Sequence, residues 1–332
     1  MAPHIRVFFQ IDNIRFLLTR IRHQSRPIMF RFTAKLLLAV IAVAVTLQVS
    51  AADRDKYFHD YPRMLQGVSA KLRDYMKTHP GNDIDSVRRH LLATLSDSRV
   101  ASRSALTPPR KKKLTPEKLY EEAMKSSLVF GKMHFHPQFG VDTAYSTASA
   151  VALTPDGICA TNYHVVSDIV INAALDNQEK GDMMRFVMDS QGRVYPMTAV
   201  LAIDPVNDMA IIKVDPCGDK LSPAPVGDIV TPGTKVFCLA NPSMTYFHFT
   251  DGMVSNCIRK LKPRTGHTEY ILEITADYGK GASGGPIYDE CGNLVSIVSS
   301  TVSVYADDNY RDFQMAFKQT IPVFLIKDYF ND

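Results

Sequence analysis

Apolar residues recur at three- and four-residue spacing through residues 53–100. Tyr57, Tyr61, Met64, Leu65, Val68, Leu72 and Tyr75 fall on one face of a helix. "THPGND" breaks the pattern, and Ile84, Val87, Leu91, Leu92 and Leu95 begin a second helix, with Asn82 or Asp83 placed to cap it. Thr115 and Pro116 open a third helix running to about Leu128, with threonine as the cap and proline at the first helical position. From about Ala144 the period changes. Short β-prone runs ("STASAVAL", "GICATNYH", "RFVMDS", "RVYPMTAVLAI", "DMAIIKV", "TKVFCLA", "GMVSNCI", "YILEITA", "LVSIVSSTVSV") alternate with turn pieces such as "TPDG", "SQG", "TPG" and "ECGN". Regular short strands without long helices between them predict an all-β barrel or sandwich and count against a doubly wound α/β sheet.

Ahead of these elements, Leu36 to Leu47 form a twelve-residue apolar run with only Thr46 polar. It is short for a membrane span, which needs about 20 residues. Arg31 and Lys35 precede it and "QVSAAD" follows. That order predicts a secretory signal peptide cleaved after Ala51 or Ala52, with Met29 as a natural start, and hence a secreted or periplasmic protein. An uncleaved anchor through residues 36–47 and an organelle transit peptide are the alternatives. Residues 1–52 thus read as a leader. Residues 53–113 read as a helical region ending in a basic linker, "SRSALTPPRKKKLTP", and as a candidate pro-segment; residues 114–332 read as the main domain.

Composition sharpens this division. The chain has 332 residues, 45% of them hydrophobic, enough for a real core and too many for a disordered chain. Its net charge of +4 is unevenly spread. Residues 1–52 carry seven Lys/Arg and one acid, residues 53–113 fourteen and seven, and residues 114–332 seventeen and twenty-six. The basic excess lies ahead of the globular bulk, so overall charge does not argue for a nucleic-acid partner. Five cysteines (Cys159, Cys217, Cys238, Cys257 and Cys291) show no CxxC spacing, which leaves a zinc site unsupported. An oxidising compartment would permit disulfides, and an odd count leaves at least one thiol outside any pairing within the chain. His134 and His136 in "HFH" lack a clear third ligand, so no metal is expected.

The candidate chemistry lies in "DYGKGASGGPIYDECG", Asp277 to Gly292. Gly281-Ala282-Ser283-Gly284-Gly285 fits both the G-x-S-x-G elbow of α/β-hydrolases and the G-x-S-G-G-P loop of trypsin-like proteases. An elbow needs its histidine after the serine, and no histidine follows His267. The order His, Asp, Ser stays open. His164 ends the run "CATNYH", and Asp208 stands directly before "MAIIKV", with Asp204 as a nearby competitor. A serine hydroxyl needs an adjacent base, and the imidazole needs an acid to fix its tautomer. Ser283, His164 and Asp208 supply those roles in the permitted order. The amides of Gly281 and Ser283 are candidates to face a developing oxyanion, where a side chain at position 281 would hinder the turn.

Residues from about 144 to 322 resemble a trypsin-like serine protease domain, closest to the HtrA type, through "ATNYHVV", "DPVNDMAIIKV", "CLANPSM", "DGMVSN", "GKGASGGPI" and "GNLVSIVSS". The resemblance implies two six-stranded β-barrels behind a small helical region, with the active site in the cleft between them. It implies acyl-enzyme hydrolysis of protein or peptide substrates without metal or cofactor. His164 matches the family's base, Asp208 its orienting acid, Ser283 its nucleophile and Gly281 an oxyanion donor. The chain leaves no room for the PDZ domain of HtrA enzymes, so their peptide sensing and assembly are not carried over; the oligomeric state stays open. Ala282 departs from the pattern: trypsin has aspartate there and HtrA-type enzymes usually asparagine. That departure motivates a rival reading, a protease-fold binding or chaperone-like protein with little turnover. Asp277, six residues before Ser283, stands where trypsin has the acidic floor of its specificity pocket.

Overall fold

The structure, a computed structural model, describes residues 58–94, 105–174, 181–263, 266–307, 309 and 311–330. The chain divides into two compact units. The first, Met1–Asp60, lies almost wholly outside the described residues, and the leader expected over 1–52 lies there with it. The second, Tyr61–Asp332, holds every element below. Among the described residues no helix is long and apolar enough to cross a membrane.

Helices come first: α1 (Tyr61–Met64), α2 (Val68–Thr78), α3 (Ile84–Thr94) and α4 (Pro116–Ser126). Of the two residues placed to cap α3, Asp83 does so. Its Oδ1 accepts the Ser86 amide at 2.8 Å, and the Ser86 hydroxyl oxygen accepts the Asp83 amide at 3.1 Å. For α4, Thr115 Oγ1 accepts the Lys118 amide at 3.3 Å and Pro116 takes the first turn. The helix stops at Ser126 rather than Leu128, and the next residue begins a strand.

Twelve strands form the body: β1 (Ser127–His136), β2 (Val141–Ala152), β3 (Ile158–Asn162), β4 (Asp182–Met188), β5 (Val194–Asp204), β6 (Met209–Val214), β7 (Lys235–Ala240), β8 (His248–Leu261), β9 (Thr268–Ile274), β10 (Pro286–Asp289), β11 (Leu294–Tyr305) and β12 (Phe313–Pro322). They make two closed six-stranded barrels, ordered β1-β2-β3-β6-β5-β4 and β10-β11-β12-β9-β8-β7. Every strand pairing is antiparallel, and β1–β4 and β10–β7 close the rings. Helix α5 (Tyr163–Ala174) follows β3, and α6 (Phe324–Lys327) follows β12. The all-β expectation and the two-barrel form both hold. β1, β10 and β12 were not among the expected runs.

Alternation along the strands divides the core. Val129 and Met133 of β1 join a cluster with Leu72 of α2, Leu119 of α4, and Phe237 and Leu239 of β7, so this core spans both barrels. Leu128 and Phe130 point the other way, into a cluster with Val87 and Leu91 of α3 and Val166 and Ile169 of α5. The stretch read as a basic linker is docked over residues 105–114. Thr107 accepts the Val226 amide at 2.9 Å, Arg110 and Asn293 exchange bonds of 2.6 and 2.9 Å, and the Leu114 amide reaches Glu290 O at 2.8 Å. Composition signals a tether there; the paired backbone groups make it a strap across the second barrel.

Candidate active site

The first barrel supplies His164 and Asp208. Strand β3 ends at Asn162, and His164 sits in the first turn of α5. Asp208 precedes β6 in a left-handed conformation, φ 57°. For a residue other than glycine this costs roughly 1 kcal/mol, and four contacts hold it. The Asp208 carbonyl accepts the Tyr163 amide at 3.0 Å and Asn162 Nδ2 at 3.1 Å. Its Oδ1 accepts the His164 amide at 3.0 Å, and its Oδ2 accepts the Ser299 hydroxyl at 2.7 Å. His164 Nδ1 lies 2.9 Å from Asp208 Oδ2 and 3.0 Å from Oδ1, while Nε2 lies 3.0 Å from Ser283 Oγ. An ionised carboxylate only accepts, so Nδ1 carries the proton of the neutral ring and Nε2 is left to accept from the serine. Asp204, the competitor, is spent on its own turn: Oδ1 accepts the Val206 and Asn207 amides and Oδ2 the Asn207 side chain.

The second barrel supplies Ser283, on the loop before β10. Gly284 has φ 80°, and a Cβ there would stand 2.3 Å from Ser149 O. Gly281 has φ 94°, and its Cβ would stand 2.9 Å from Asn241 O. No side chain is accommodated at either position. The Lys280 carbonyl accepts the Ser243 amide at 2.7 Å. In a trans peptide the following N–H points the opposite way, which turns the Gly281 amide away from that contact. Among the described residues neither the Gly281 nor the Ser283 amide has a hydrogen-bond acceptor.

A model of the "Trypsin-like peptidase domain" family matches residues 148–297, a span that includes all three side chains. Over those residues the chain is similar to trypsin-like peptidase domains. Over 149 residues it is 27% identical to "Protease Do-like 5, chloroplastic" of Arabidopsis thaliana, covering 44% of this chain and 45% of that protein. Over 169 residues it is 28% identical to "Probable periplasmic serine endoprotease DegP-like" of Brucella suis, covering 50% and 30%. Over 190 residues it is 29% identical to "Serine protease HTRA2, mitochondrial" of Bos taurus, covering 54% and 38%. The chain thus spans less than half the length of these curated relatives. A solved structure, "Crystal structure of Deg5", overlays on 64% of this chain and 90% of its own at 20% identity, with a TM-score of 0.48.

Sequence reasoning missed three supporting residues. Ser149 of β2 crosses the seam between the barrels: its amide donates to Ser283 O at 2.8 Å and its hydroxyl to Gly281 O at 3.1 Å. Asn241, after β7, donates to Ser149 Oγ from both its amide and Nδ2 at 3.0 Å, and Nδ2 also reaches Leu128 O. Ser149 and Asn241 brace the loop through its backbone, while the Ala282 methyl is buried in the core of the second barrel with Cys238 and Ala240. The third is Ser299, the extra residue where the β11–β12 register shifts between Val298 and Ser300, and this bulge aims its hydroxyl at Asp208. Only "VSIVSS", a hydroxyl pair ending an apolar run, signalled it.

The structure does not bring Asp277 to Ser283. The hollow of about 240 Å³ beside Ser283 is lined by Tyr278, Gly279, Lys280 and Val298–Thr301, with no acid among them. The Tyr278 hydroxyl is anchored on the Ser300 and Gln319 carbonyls at 2.9 and 2.8 Å. Asp277 points outward, 81% exposed, and pairs with Lys318 at 2.8 Å. The hydrogen bond from Lys318 holds its carboxyl below the usual range. It borders a separate hollow with Met315 and Phe317. His134 and His136 lie on one face of β1 with ring centroids 4.8 Å apart, and no group of three metal-ligating side chains occurs among the described residues.

Proposed function

We propose that this chain is a serine endopeptidase acting through an acyl-enzyme. The observation that carries the reading is the unbroken line Asp208–His164–Ser283, with contacts of 2.9 and 3.0 Å across the seam of the two barrels. Ser283 Oγ attacks the scissile carbonyl as its proton passes to His164 Nε2. Asp208 steadies the imidazolium, and His164 then protonates the leaving amine. Water repeats the sequence in reverse to release the acid. The open amides of Gly281 and Ser283 receive the oxyanion; each such donor contributes about 3–4 kcal/mol at the transition state. The substrates are proteins or peptides, and the hollow beside Ser283, lined by Lys280 and by no acid, has no carboxylate to favour a basic side chain before the cut. A fluorophosphonate is expected to label the wild-type protein at Ser283 and to leave Ser283→Ala unlabelled. Equal labelling of both overturns the assignment, and a wild type that neither labels nor cleaves a peptide library returns the reading to a binding protein.

The order of segments extends the proposal: a leader over 1–52 removed on secretion or entry to the periplasm, a helical region over 53–113, and the peptidase domain over 114–332. The buried face of α2 and the docked strap over 105–114 support retention of the helical region rather than its loss as a pro-segment. The mass of the mature protein distinguishes these, with a start near Asp53 expected and a start near Leu114 opposing.

A further inference from the structure

Helix α5 is longer than a turn needed only to present a histidine, and its apolar side is covered by the N-terminal helices. Val166 and Ile169 are fully buried in a cluster with Ile84, Val87 and Leu91 of α3. α5 meets α3 more extensively than it meets β3 or β6. A line of buried charges runs beside this contact. Arg88 of α3 donates to Asp182 Oδ2 at 3.1 Å and to Asp85 at 2.8 Å. The other oxygen of Asp182 accepts Arg185, which also binds Asp168 of α5 at 2.6 Å. The side chains of Arg88, Asp182 and Arg185 are 7%, 0% and 2% exposed. Asp168 lies four residues after His164, one turn along the same helix face.

We propose that α3 is a stay for the histidine helix: its apolar face and Arg88 fix the position of α5, and with it the approach of His164 to Ser283. Rotation or displacement of α5 is resisted through this charge line, because Arg88, Asp182 and Arg185 are each shared between two partners and are too buried for water to replace a lost one, while Asp168 at the α5 end is 40% exposed. α3 thereby acts as part of the working enzyme, in the role of a positioning element. The effect on catalysis rests on the serine endopeptidase reading; the mechanical claim does not.

The test compares Val87→Ala, Arg88→Gln and Arg73→Gln in the full chain. Arg73 ties α2 to Asp142 of β2 at 2.7 Å, on the same helical pair but away from α5, and serves as the control. Val87→Ala removes two methyl groups and leaves the charges, so the test survives if Arg88→Gln folds poorly. Hydrogen exchange over residues 163–174 is expected to rise about fivefold or more in the first two variants and to stay within about twofold in the control. The rate of fluorophosphonate labelling is expected to fall about tenfold in the first two only. Unchanged exchange over 163–174, or an equal rise in all three variants, overturns the stay. If exchange responds and the wild type does not label at Ser283, the stay stands and the endopeptidase reading falls.

Discussion

His164, Asp208 and Ser283 meet three supporting side chains, Ser149, Asn241 and Ser299, at the seam of the two barrels. His164, Asp208 and Ser283 each stand next to a β-prone run in a fixed order, and order alone removed the α/β-hydrolase elbow. Ser149 and Asn241 carry no mark of their role and Ser299 only the hydroxyl pair of "VSIVSS", because their partners come from the opposite barrel and only folding brings them together. Ser149 has the most to lose. Its hydroxyl donates to the Gly281 carbonyl and accepts from Asn241, so it holds the Gly281–Ala282 peptide, which lies between the two peptides that carry the oxyanion amides. Ser149→Ala is expected to lower kcat about tenfold with KM within about twofold, since the lost support acts on transition-state charge rather than on ground-state binding. A kcat at the wild-type level in steady-state peptide hydrolysis overturns this. Asp208→Asn is the harsher change. The amide keeps the shape but no longer selects the Nδ1–H tautomer, and kcat is expected to fall about 10³–10⁴-fold.

Among the elements, legibility followed punctuation. α4 was readable because Thr115 and Pro116 announce its start, and α3 because "THPGND" stops the helix before it. β1 was not, since it begins one residue after α4 with no glycine or proline between them. At His164 the sequence reads as the start of only a short turn or helix, because the β-branched residues Val165, Val166, Ile169, Val170 and Ile171 disfavour a helix in isolation; packing on α3 overrides that preference and extends α5 to Ala174. Gly131 shows the same dependence on distant groups. A Cβ there would stand 2.5 Å from the Phe186 ring of β4 and 2.7 Å from Tyr145 O of β2, at the point where the β1–β2 register shifts. Gly131→Ala is expected to cost about 1–3 kcal/mol, because a backbone atom on one side leaves the added methyl no room to relax. Asp83→Ala removes the carboxylate that caps α3 and is expected to cost about 1 kcal/mol. Urea unfolding of each variant measures both, and a Gly131→Ala midpoint at the wild-type value counts against the packing at β1.

At the scale of the molecule, the two barrels share one of their cores and are stitched at the seam, which argues for joint unfolding. Met133 and Met184 of the first barrel lie in the same buried cluster as Phe237, Leu239 and Ile297 of the second. Backbone and side-chain bonds from Ser149 to Ser283 and from Asn241 to Leu128 cross between them. Each barrel also carries its own reporter. All five cysteines are free thiols; Cys159 of β3 and Cys238 of β7 are buried, while Cys217 and Cys257 are exposed. Burial holds the Cys238 thiol at about 12 and likewise pushes the Cys159 thiol up, so in the folded state neither supplies thiolate near neutral pH. Cys217, raised to about 11 by partial burial and by Asp215 and Asp219, is expected to react slowly but measurably, and faster as pH rises toward that value. Pulsed alkylation across a urea series therefore separates the barrels. Cys159 and Cys238 are expected to become reactive at the same urea concentration, within about 0.3 M, because opening either barrel exposes the core of the other. Reactivity of Cys238 well before Cys159 would mean that the second barrel opens alone. In that case the seam contacts through Ser149 and Asn241 position the site without holding the two halves together.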